Sequence, residues 1–180
     1  MYKFCQMLIA AATLTLMLGA AVPADAAGRI KARGAVANPD GGVSAGTAAA
    51  GSGPGGGRFV RGAGVSTDGQ GNAVGGSAGA VQGANGGRAA RAGQFSRNAD
   101  GSFNRQGGVA AESAAGGRLQ STGAVSGDGQ GHVTGVRNTS ATSAAGNSYQ
   151  GQTTATSGQG VQRTGSCYNA DGVEVPCPRR

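Results

Sequence analysis

The chain has 180 residues, of which 38 are glycine and none is tryptophan; aromatic residues make up 4% and the formal net charge is +7. Leu, Ile, Val and Phe supply about 12% of the chain beyond its first 26 residues, below the roughly 20% under which chains often cannot build a core. A conventional globular core is excluded on these grounds, and with it the rigid, water-excluding pocket on which most catalysis depends.

The N-terminus reads as a cleavable secretory signal over residues 1–26. Lys3 supplies a positive start, Met7 to Ala21 is an apolar run too short to cross a bilayer, and Ala24-Asp25-Ala26 offers small residues where a signal peptidase reads. Cleavage after Ala26 leaves 154 residues, expected outside the cytoplasm, secreted or periplasmic, with no membrane span.

Residues 27–57 form a Gly/Ala/Ser-rich segment that holds GTAAAGSGPGGG and reads as a linker. A degenerate copy of the repeat that follows starts in it near Arg29, with a turn at Asn38-Pro39-Asp40-Gly41.

Residues 58–165 are the repeat region. Rows of 30 align Arg58, Arg88, Arg118 and Ser148, each preceded by Gly-Gly or Gly-Asn, and a second turn falls near Asp68-Gly69, Asp100-Gly101, Asp128-Gly129 and Gly158. Val65, Phe95, Val125 and Ala155 lie between the turns, again 30 apart. Two turns per repeat imply two extended segments per repeat, because Asp-Gly, Asn-Gly and Gly-Gly supply the positive φ that hairpin turns demand. Stretches such as 58–66, 92–97, 132–143 and 148–157 favour Thr, Ser, Val, Phe and Tyr, which suit extended backbone. The expected fold is therefore all-β: a repetitive antiparallel hairpin meander or a solenoid-like sheet, poor in core. Small side chains on both faces would let such sheets stack closely. The same composition also admits a largely disordered chain.

Residues 166–180 differ in kind. Cys167 and Cys177 flank YNADGVEVP and read as a disulfide closing a hairpin, followed by a basic tail. A loop centred near Gly172 would set the two cysteines opposite each other, whereas a two-residue turn at Asp171-Gly172 would not.

Few residues carry chemistry. His132, the single histidine, follows a turn and reads as an exposed strand residue. Asp68, Asp100, Asp128 and Asp171 recur in turns, where Asp bonds its own backbone; one carboxylate per turn is a poor ligand set for calcium. The glycine runs lack the Lys-Ser/Thr of a phosphate loop. No catalytic residue, metal site, cofactor or small-molecule substrate is expected.

The arginines are the remaining signal, spread along the repeats rather than clustered. In-register hairpins would place Arg58, Arg88 and Arg118 in a row along one edge, a candidate contact for phosphate- or sulfate-bearing polymers such as lipopolysaccharide, extracellular DNA or acidic polysaccharide. The competing reading makes them gatekeepers against edge pairing.

GANGG (83–87), FSRNADGS (95–102), RNTSATSAAGNSYQG (137–151) and SCYNADGVEVPCP (166–178) together resemble uncharacterised glycine-rich exported proteins of proteobacteria. That resemblance implies export and a repeat architecture and carries no function with it. Curlin-type amyloid subunits are a more distant likeness: the Gln, Asn and Gly content is similar, while their regular Ser, Gln and Asn ladder is missing. The expected function is a non-enzymatic structural or surface role with self-association; the alternative is a cationic module for anionic polymers.

Overall fold

In a computed structural model of the protein, residues 28–178 are described. The expected signal segment, 1–26, and the Arg179-Arg180 tail lie outside them. The described chain is one antiparallel sheet of 11 strands in sequence order, and each strand packs only on its neighbours in the chain. The strands are β1 (Gly28–Ala37), β2 (Val43–Ser52), β3 (Arg58–Thr67), β4 (Ala73–Gln82), β5 (Arg88–Arg97), β6 (Ser102–Glu112), β7 (Arg118–Asp128), β8 (Val133–Thr142), β9 (Ser148–Thr156), β10 (Gly160–Tyr168) and β11 (Glu174–Val175). The fold is the hairpin meander, not a coiled solenoid. The expected linker is corrected: residues 28–52 supply two full strands, so the degenerate first copy is a complete repeat unit.

Glycine places the turns. Every described residue with positive φ is a glycine, and all of them lie at hairpin ends. The turn after β4 is typical: the Gly83 N–H donates to the Gly87 carbonyl at 2.7 Å, the Gly86 N–H donates to Gly83 at 3.1 Å, and Gly86 sits at φ 88°. This is a three-residue loop with its last residue left-handed, a position that an L side chain adopts only with strain.

Such loops have a consequence for the whole sheet. Three residues between the arms pair even-numbered residues with even and odd with odd, as in Arg58↔Gln82, Gln82↔Arg88 and Arg88↔Glu112. The same holds at every strand pair from β1 to β11. Because side chains alternate along a strand, one face of the sheet carries the even-numbered residues and the other the odd-numbered ones. These are called here the even face and the odd face.

Among the described residues there is no second layer and almost no core. Apart from Gly42, only Ala49, Ser121 and Cys167 are buried among the described residues. Order rests on the backbone ladder and on side chains packed across neighbouring strands. Three phenylalanines show how: Phe59 pairs with Gly51, Phe95 with Gly75 and Phe103 with Gly127, so each ring lies over a strand residue that has no side chain. A Cβ added at Gly75 would meet the Phe95 ring at 2.5 Å. Cross-strand cover of a glycine by an aromatic ring supplies packing that the glycine cannot provide itself.

The cysteines form the Cys167–Cys177 disulfide, with Cα atoms 5.3 Å apart. The last hairpin is centred on Asp171 rather than Gly172, so Cys167 faces Val175 and the bridge reaches diagonally to a cysteine two residues further on.

Candidate functional site

Charge is sorted between the faces. The strands place Arg29, Lys31, Arg33, Arg61, Arg91, Arg97, Arg105, Arg137 and Arg163 on the odd face, all exposed, with no Asp or Glu among them. On the even face three arginines, Arg58, Arg88 and Arg118, stand against three carboxylates, Glu112, Asp128 and Glu174. The odd face is thus strongly cationic and the even face close to neutral.

The sequence singled out Arg58, Arg88 and Arg118, and the register sets them in one row, two strands apart, in the order Ser52, Arg58, Gln82, Arg88, Glu112, Arg118, Thr142. The row runs along the margin of the even face. Glu112 stands between its last two arginines: its carboxylate accepts from Arg88 at 2.6 Å and lies 3.8 Å from Arg118. The Arg88 hydrogen bond, its charge and then the charge of Arg118 hold Glu112 below the usual carboxylate range. Two of the three guanidinium groups therefore already share an anion.

The odd face offers more. Its register runs Lys31, Ala49, Arg61, Gly79, Arg91, a cation on every second strand with a small residue between. Cations there are about 9.6 Å apart, twice the strand spacing. Ala49, 7% exposed, is the best-buried apolar residue described, consistent with long cationic stems lying over it. The same alternation returns as Arg137, Thr153, Arg163 across β8–β10. Between these stripes, Gly93, Gly107 and Gly123 lie side by side in one row, while the shallow depression open to solvent over the same strands is lined by Gln94, Gln106, Thr122, Val136 and Asn138 and belongs to the even face. Arg91 and Phe95 lie on the odd face two residues either side of Gly93.

Aromatic rings accompany the cations. Phe95 pairs with Arg105 and Phe103 with Arg97 across β5 and β6, while the Arg29 guanidinium sits 5.8 Å from the centre of the Phe59 ring. Arg137 Nε donates to Ser121 Oγ at 2.8 Å, fixing one guanidinium against the sheet. Comparison with protein families, with curated proteins and with solved structures gives no match.

The remaining chemistry belongs to the turns. Asp128 accepts from the Gln130 N–H at 2.7 Å and contacts His132 Nδ1 at 2.7 Å. In the sister turn, Asp68 accepts from the Gln70 N–H at 2.8 Å and from the side-chain amide of Asn72. An asparagine thus fills the place of the histidine, which makes His132 a bridge across its own turn. These bonds hold both aspartates below their usual range: the Asn72 amide contributes most at Asp68, and the Gln130 N–H, followed by His132, at Asp128. Among the described residues no group of three or more His, Cys, Asp or Glu converges on a point.

Sequence reasoning passed over Lys31, Arg61 and Arg91 as a set. Their 30-residue spacing was visible, but not the loop length that assigns neighbouring strands to faces.

Proposed function

We propose that the protein is an exported, non-enzymatic structural protein of the cell surface or its surrounding matrix, which holds anionic polymers on its odd face. One observation carries this reading: nine cations and no carboxylate share one face of a sheet whose other face is balanced. A flat array of guanidinium groups suits phosphate- and sulfate-bearing polymers, because each cation displaces condensed counterions and guanidinium forks match those oxygens. The exposed rings of Phe95 and Tyr149 add stacking surface beside the charges. Export is supported by the apolar leader and by the Cys167–Cys177 bridge, which belongs in an oxidising compartment. A non-catalytic role is supported by the employment of His132 and Asp128 within their own turn.

Binding to dextran sulfate and to duplex DNA, followed by fluorescence anisotropy against salt, tests the proposal. Affinity for both should fall by at least about tenfold between about 50 and about 200 mM salt. Absence of binding at low salt, or binding indifferent to salt, would refute it.

A further inference from the structure

We infer that two copies of this protein stack even face on even face, closing a two-layer sandwich with the cationic faces outward. The interior of the even face, from Ile30 to Val36 in β1 and across all its registered partners to β10, carries no charged residue. From β2 to β5 it is built from short side chains such as Ala48, Gly62, Ala78 and Ala92, which let a facing sheet approach closely. From β6 to β9 it carries the uncharged amides Gln106, Gln120, Asn138 and Gln152, which can hydrogen-bond across such an interface. Ten strands about 4.8 Å apart and about 30 Å long present about 1,400 Å² per copy. A stable interface needs about 800 Å² per partner, and a sheet that buries only a handful of residues by itself leaves that area unused.

Charge selects the occupant. The odd face cannot meet its own copy without opposing nine cations to nine, whereas the margin of the even face mixes Arg88 and Arg118 with Glu112 and can meet itself without net repulsion. Growth through strand edges is opposed at both ends. The edge strand β1 carries Arg29, Lys31 and Arg33; at the other end β11 pairs only with Cys167 and Tyr168 and is followed by Pro176 and Pro178, which have no N–H to donate, and the remaining edge of β10 carries Arg163. A face that pairs with itself about a two-fold axis closes at two copies.

Sedimentation equilibrium of the oxidised protein tests this, with two double variants that each add two lysines at exposed, directly paired positions. Ala78→Lys with Ala92→Lys charges the even face, and Ala63→Lys with Ser77→Lys charges the odd face. The expected result is a dimer for the unaltered protein and for the odd-face variant. The even-face variant should dissociate at least roughly 100-fold more readily, or lose its β circular dichroism at concentrations where the others keep it. A monomer with full β signal at about 100 µM, equal dissociation of both variants, or species that keep growing with concentration would overturn the inference.

Discussion

The two faces of this sheet share one backbone and nearly one composition of small residues, yet their glycines do different work. On the odd face a Cβ built at Gly75 would lie 2.5 Å from the Phe95 ring and 2.7 Å from the Gly64 carbonyl oxygen, and one at Gly51 would lie 2.8 Å from the Phe59 ring. On the even face Gly34 has nothing within 4 Å, and Gly46 and Gly64 meet only a carbonyl oxygen at 3.5 Å. Gly51 and Gly75 on the odd face are seats for rings, whereas Gly34, Gly46 and Gly64 on the even face have open space above them. At these positions one face holds aromatic rings in place over its glycines and the other does not.

Four changes break or sharpen that contrast, from the largest effect downward. Cys167→Ser removes the bridge that ends the odd-face margin row at Cys167 and Val175. It should cost the C-terminal hairpin about 3 kcal/mol, read as lost hydrogen-exchange protection in β10 and β11 while β1 to β4 keep theirs. Gly75→Ala should lower stability by about 1 to 3 kcal/mol in urea unfolding, because the new Cβ would lie 2.7 Å from the Gly64 carbonyl oxygen, a backbone atom held in the strand ladder, and would push the Phe95 ring off its seat. Gly34→Ala, its counterpart on the even face, should be neutral or stabilising by up to about 1 kcal/mol. If both glycine variants cost the same, the faces are not packed differently.

The smallest effect is on pH. Asp68 and Asp128 have folded values below the ordinary carboxyl value of 3.8, so their contribution to turn order is complete above that value and is lost as pH falls through the depressed one. Amide shifts of Gln70 and Gln130 should move together in that acid range, while those of the turn at Gly83 to Gly87, which contains no carboxylate, should stay still.

Much of this architecture was legible. Glycine pairs recurring every 30 residues place the turns, and Val65, Phe95 and Val125 mark strands that return to the same height and face. The two cysteines announced their bridge. The candidate site was only half legible, for a reason that lies in loop length. Asp-Gly read as a two-residue turn pairs odd residues with even ones, so that successive hairpin arms exchange faces and the cations scatter over both. Three-residue loops ended by a left-handed glycine keep parity, and only then do Arg91, Arg97 and Arg105, from adjacent strands, fall on one side. The residues 28–52 misled through composition: Gly and Ala suggest a linker, yet their strands continue the established register, and β1 pairs with β2 along its whole length.

The most direct test exploits two triads of equal charge. Lys31, Arg61 and Arg91 lie in one row of the odd face; Arg58, Arg88 and Arg118 lie in one row of the even face with the same two-strand spacing. Replacing either triad by Gln removes three charges, so any difference between them reports the face alone. Salt titration of duplex DNA binding should show the logarithmic slope falling by about 2 to 3 for the odd-face triad and by less than half of that for the even-face triad, whose arginines are partly neutralised by Glu112. Equal losses, or a greater loss from the even-face triad, would contradict the account.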